Sequence, residues 1–188
     1  FYPGSVLETG YDILFFWVAR MVMLGIFNMG DIPFHTIYLH GLVLDPDGIK
    51  MSKTKGNVLD PLEIIDQYGS DAVRFALTTG TSAGNNVRIS EGRLESSRNF
   101  ANKLWNAARF VTSRLKKEDS SLNWSDPKPI HLHDRWIMSR LQETVGNTNR
   151  LINDYQFGDA QREVHDFFWN EYCDWYLELV KLRFADEQ

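Results

Sequence analysis

Three lysines stand within six positions in the stretch Gly48-Ile49-Lys50-Met51-Ser52-Lys53-Thr54-Lys55-Gly56-Asn57. Ammonium groups this close together suit a polyphosphate, because compact cations can neutralise oxyanions as negative charge moves onto a leaving group. A Walker A loop is excluded. It needs Gly directly before its Lys and again five residues earlier, where Ser52 and Asp47 stand. By residue type alone a solvated basic turn fits as well as a phosphate site. Ile13 and Trp17 share one helix face at i and i+4, and by type they read as core. His131 and His133 alternate in a polar stretch with no further Cys or His nearby, so no metal site is expected.

The elements that must position the lysine loop are legible around it. Thr36 to Val43 is rich in β-branched and aromatic residues and predicts a strand. Asp45-Pro46-Asp47-Gly48 is a turn, with Pro presetting φ and Gly admitting positive φ. Asp60-Pro61-Leu62-Glu63 predicts a capped helix start, ending near Gly69, and a second helix begins at Ser70-Asp71. Upstream, Asp12 through Leu24 has a helical pattern. The apolar stretch Ile13–Met29 is short for a membrane span and holds Arg20, so a buried helix is expected. Past a Gly- and Asn-rich boundary at 80–90 the character changes. Leu94, Phe100, Leu104, Ala108, Val111 and Leu115 recur at helical spacing, and 136–152 and 159–184 repeat the pattern. Three amphipathic helices with a polar connector at 120–129 predict an antiparallel bundle. In this reading Trp105, and the stripe Trp169, Tyr172, Trp175 and Tyr176, are core, Cys173 is a packed thiol, and the acidic run beside the stripe is an outer face.

The 188 residues are 43% hydrophobic with a formal net charge of −5, so no global basic field advertises a polyanion. The charge is unevenly placed. Residues 88–117 carry eight basic side chains against two acidic, a net of +6, and 159–178 carry a net of −5. The single cysteine excludes a disulfide framework and Cys-based zinc modules, and fits a reducing compartment. No signal peptide is visible.

Lys50-Met51-Ser52-Lys53-Thr54 followed by Gly56-Asn57 resembles the KMSKS signature of class I aminoacyl-tRNA synthetases, departing only at Thr54. The flanks 38–43 and 56–61 agree. The block Glu8-Thr9-Gly10-Tyr11-Asp12-Ile13-Leu14-Phe15-Phe16-Trp17 is similar to the valyl branch of that family, and Arg98–Phe110 resembles the start of its anticodon-binding domain. The resemblance covers essentially the whole chain. It implies an α/β unit at 1–90, the C-terminal part of a Rossmann-type nucleotide-binding domain carrying the KMSKS loop. An all-α anticodon-binding domain would follow at 91–188.

On this resemblance, Lys50 and Lys53 stabilise departing pyrophosphate, and Glu8, Gly10 and Asp12 lie against the adenylate. His40, Gly41, Leu42, Met51 and Ser52 receive the nucleotide, and Ile13 and Trp17 wall the valine pocket. Lys103 and Phe110, seven residues apart and on nearly one face, are the candidates for holding tRNA, since basic groups hold phosphates while aromatics stack on splayed bases. The implied substrates are ATP with Mg²⁺, valine and tRNA(Val), with no zinc or other cofactor, no membrane, a monomeric state and a cytoplasmic location. The family's HIGH-type motif, its editing segment and a start Met do not occur in this sequence, so a piece of a longer enzyme, inactive alone, is expected. The alternatives are an isoleucyl or leucyl sister ligase and a non-catalytic tRNA- or RNA-binding module.

Overall fold

The computed structural model describes residues 1–114 and 131–186, without the side chains of Lys53 and 184–186. The predicted connector at 120–129 lies outside the described residues, as do Leu115 of the predicted apolar pattern and Lys116 and Lys117 of the basic stretch.

The chain opens on a strand that periodicity did not reveal, β1 (Gly4–Gly10). It pairs in parallel with β2 (Phe34–His40), in a register that sets Glu8 beside Tyr38 and Gly10 beside His40. Parallel strands need a crossover, and here it is helical. A 3₁₀ turn (Tyr11–Ile13) and a π turn (Leu14–Val18) lead into α1 (Ala19–Met29), which ends on Gly30 at φ 73°. The expected α-helix from Asp12 therefore begins as two non-α turns, and Ile13 and Trp17 lie in different ones. The stretch expected to be buried is open in this chain. Val18 is 1% exposed, whereas Phe15, Met23 and Phe27 are 76%, 70% and 86% exposed. The cause is that only a two-stranded sheet flanks it. By length and composition alone Tyr11–Met29 could cross a membrane.

After β2 the chain forms β3 (Val43–Leu44), parallel to β4 (Val87–Arg88), so the predicted strand is broken at Gly41 and Leu42. Gly41 is the reason for the break. A Cβ there would lie 1.7 Å from the Asn85 carbonyl oxygen, so only glycine admits this approach. The lysine loop follows, with a 3₁₀ turn at Lys53–Lys55. Asp60 then caps α2 (Pro61–Tyr68) by accepting the Leu62 N–H at 2.9 Å, and α3 spans Ser70–Thr78. Ala76, Ile89 and Leu94 form a core to which Met51, Ile64, Tyr68 and Val73 add, so the lysine loop is anchored by its own methionine.

The helical half holds α4 (Glu91–Thr112), α5 (Leu132–Asn153) and α6 (Phe157–Asp166), the last continuing through a π stretch (Phe167–Tyr176) into α7 (Leu177–Asp186). Ser90 caps α4 by accepting the Arg93 N–H. Asn147 donates to Glu163, Arg140 pairs with Glu171, and the Tyr176 hydroxyl donates to Asp134, so pairings descend α5 as they climb α6 to α7. Ala107 of α4 packs with Cys173 and Leu177. Two sequence readings are corrected here. Trp105 and Trp175 are 68% and 66% exposed, because α4 and the π stretch turn other residues toward each other. The acidic run is not simply an outer face, since Glu163, Glu171 and Asp174 all bind across to neighbouring helices. α6 also docks on the α/β half, where Gln161 donates to the Phe75 carbonyl and a Cβ on Gly158 would meet Thr81 oxygen at 2.1 Å.

Candidate functional site

Strand order places the C-terminal ends of β1 and β2 side by side, the usual place for a ligand in a parallel α/β sheet. Gly10 ends β1, and a Cβ there would sit 2.8 Å from the Asp12 carboxylate, so glycine lets that carboxylate fold over the strand end. Asp12 then meets the lysine loop. Lys50 Nζ lies 2.8 Å from Asp12 Oδ2, and this hydrogen bond holds the Asp12 carboxyl below its ordinary value. The pairing joins two sequence blocks 38 residues apart. Across the strand end His40 Nε2 lies 3.5 Å from Glu8 Oε1, and its Nδ1 is 2.8 Å from the Gly41 carbonyl. A cavity of about 430 Å³ is lined by Glu8, Tyr38, His40, Gly41, Asn85 and Phe157.

Several backbone groups assigned to the nucleotide already have internal partners. The Leu42 N–H donates to Asn86 at 2.8 Å, its carbonyl accepts from Val87, and the Met51 N–H points to the Val43 carbonyl at 3.5 Å. Asn86 thus stitches the Leu42 backbone to the start of β4, a role that nothing in its spacing signals. The Ser52 and Thr54 hydroxyls are 3.2 Å apart, so the threonine that departs from the signature keeps a hydroxyl in place. The backbone of Lys53 lies in the 3₁₀ turn and its side chain lies outside the described residues. Ile13 and Trp17 are 40% and 45% exposed beside this strand end. Among the described residues no group of three His, Cys, Asp or Glu could hold a metal.

The two helical candidates are engaged inside the fold. Lys103 Nζ lies 2.7 Å from Asp174 and 3.9 Å from the Trp169 ring centroid. Phe110 has the Arg114 and Lys181 cations each 5.6 Å from its ring. Of the basic stretch, Arg93 donates to the Ala76 carbonyl at 2.7 Å and to the Thr79 carbonyl, and Arg98 bonds Glu95 and lies over Tyr68. A second cavity, about 790 Å³, lies between α4, α5 and the π stretch and is lined largely by apolar side chains such as Leu104, Ile137 and Phe168.

Residues 1–90 match the family described as tRNA synthetases class I (I, L, M and V), and residues 134–188 match the anticodon-binding domain of tRNA ligase. The valine–tRNA ligase of Dehalococcoides mccartyi is 57% identical over 100% of this chain and 21% of that protein. That of Clostridium tetani is 52% identical over 96% of this chain and 20% of its own length. The chain thus spans about a fifth of the length of the curated relatives it matches. Among solved structures, the ternary complex of Agrobacterium radiobacter K84 LeuRS with tRNA and LeuAMS superposes with a TM-score of 0.71 at 23% identity, covering 88% of this chain and 22% of that one. Mycobacterium tuberculosis methionyl-tRNA synthetase bound by methionyl-adenylate gives 0.66 at 20% identity, covering 88% of this chain and 32% of that one. These matches span both halves in order: the chain belongs to the class I tRNA synthetases of the isoleucine, leucine, methionine and valine group.

Proposed function

We propose that this chain is the part of a valine–tRNA ligase that runs from the KMSKS half of its catalytic domain (1–90) into a helical-bundle anticodon-binding domain (91–188). The observation that carries the reading is the Asp12–Lys50 contact. It sets the valyl-type block against the lysine loop at the strand ends. The names of the relatives, at 57% and 52% identity, support valine as the amino acid. The opposed pairings of α5 with α6 and the π stretch support an antiparallel bundle.

In this reading a valine carboxylate oxygen bonds to the α-phosphorus of ATP as the bond from that phosphorus to the β-phosphate bridging oxygen breaks. Pyrophosphate leaves and valyl-adenylate remains, ready for transfer to tRNA(Val). Lys50 and Lys53 hold the charge that builds on the leaving group, and positioned charge of this kind needs no covalent enzyme intermediate. Lys50 exchanges Asp12 for phosphate oxygens, and the freed Asp12 and Glu8 accept ribose hydroxyls. Gly10, His40, Gly41, Leu42, Met51 and Ser52 line the nucleotide, and Ile13 and Trp17 close one wall of the valine pocket. Mg²⁺ arrives with ATP as part of the substrate. Lys103 and Phe110 act at the tRNA by exchanging their internal partners for phosphate and base. We place the enzyme in the cytoplasm as a monomer, with the open face of Tyr11–Met29 covered by the rest of the catalytic domain rather than by lipid.

The test is exchange of labelled pyrophosphate into ATP by the full-length protein, with valine, isoleucine or leucine as the amino acid. Exchange with valine is expected, and Lys53→Ala should lower its kcat by roughly 100-fold, the scale of losing one positioned donor to developing charge. Preference for isoleucine or leucine would assign a sister ligase. No exchange with any of them, alongside retained tRNA binding, would leave a binding module. The 188-residue chain by itself should not support exchange.

A further inference from the structure

Two side chains with no chemical role so far hold the lysine loop at its base. Asp45 follows β3 and is 9% exposed. One of its carboxylate oxygens accepts the Ile49 N–H at 2.7 Å, and the other accepts Asn57 Nδ2 at 2.8 Å. The Asn57 amide is used from both ends. Its oxygen accepts the Ser52 N–H at 3.0 Å, and its nitrogen also leans on the Lys50 carbonyl at 3.4 Å. A carboxylate acceptor makes the link between the two side chains charge-assisted and strong for its kind. Gly48 and Gly56, at φ 82° and 68°, turn the chain into and out of the closed segment. Inside it Lys50 forms a backbone bridge with Leu44.

Lysines crowded on one loop repel one another, and a cation stabilises a transition state only if its place is set beforehand. We infer that Asp45 and Asn57 form a clasp that positions Lys50 and Ser52 for the phosphates of the bound nucleotide. The inference rests on the functional reading above. Both are positioning residues, because they act through the loop backbone and touch no reacting atom.

Asn57→Asp sets two carboxylates face to face and removes the donor. The double variant Asp45→Asn/Asn57→Asp reverses the polarity of the link while keeping an acceptor for Ile49 and for Ser52. On the full-length protein, kcat and KM for valine-dependent pyrophosphate exchange are read together with amide hydrogen exchange of peptides spanning 46–57. Asn57→Asp is expected to lower kcat about tenfold with KM for valine unmoved, and to speed amide exchange in the loop. The double variant should restore most of both. An Asn57→Asp protein with full kcat would overturn the clasp. So would a double variant as slow as the single one although its loop amides are protected. If the unaltered protein exchanges no pyrophosphate, the functional reading fails and the clasp is judged on amide exchange alone. Faster exchange in the single variant, restored in the double, supports it, and unchanged exchange overturns it.

Discussion

At the scale of single residues, the charged groups spend most of their capacity on one another. Asp134 gathers the His131 N–H, the Tyr176 hydroxyl and the Arg183 guanidinium, and so joins the start of α5 to the π stretch and α7. Burial alone would raise its carboxyl, yet these donors outweigh it and hold it below the ordinary value. A carboxyl lowered in the folded state contributes stability above its unfolded pKa, and that contribution is lost as pH falls through the folded value. Tyr176 has the opposite sign. Burial, then the charge of Asp134, pushes its phenol up to about 12 from 10.0, so its contribution is intact below pH 10 and lost as pH rises toward 12. Unfolding followed by circular dichroism should therefore show a loss of stability between pH 10 and 12 that Tyr176→Phe removes. Little of this was legible. Glu8, Asp12 and Lys50 stand out by type and block, but Asn57 shows its use only once two glycine turns bring Asp45 within 2.8 Å.

At the scale of elements, helix positions were legible and helix contacts were not. The cap at Asp60 and the periodic apolar residues of α4 place those helices. The π stretches 14–18 and 167–176 fall on runs crowded with aromatics, and Leu14-Phe15-Phe16-Trp17-Val18 is apolar on every side. The open faces of Trp105 and Trp175 have the same origin, since aromatic spacing alone does not say which neighbour arrives. Arg93 is a charge that the fold turns inward. Its guanidinium closes the end of α3 through the Ala76 and Thr79 carbonyls and ties α3 to α4. Replacing it with leucine leaves those carbonyls without their donor, and should cost about 2 kcal/mol of stability. Thermal unfolding would register this as a lower Tm, with the far-UV spectrum below the transition unchanged.

At the scale of the whole molecule, the α/β half is short of cover. Phe15, Phe16, Met23 and Phe27 form an open apolar face beside a sheet of two strands, too few to enclose a helix on both sides. The chain on its own should bind a hydrophobic dye and self-associate in light scattering. Phe16→Glu/Phe27→Glu should suppress both there, while destabilising the full-length protein, where the proposed function has that face covered. The uneven charge has a different fate. The basic α4 and the acidic run of α6 and the π stretch, opposite extremes in the sequence, meet through Lys103 and Asp174. Folding thus brings the two regions to salt-bridge distance at this pair, well inside a Debye length of about 8 Å at physiological salt. A polyanion approaching from afar meets the net charge of −5, so its encounter rate should rise as added salt screens that repulsion. Any weakening of the complex by salt would then reside in its lifetime.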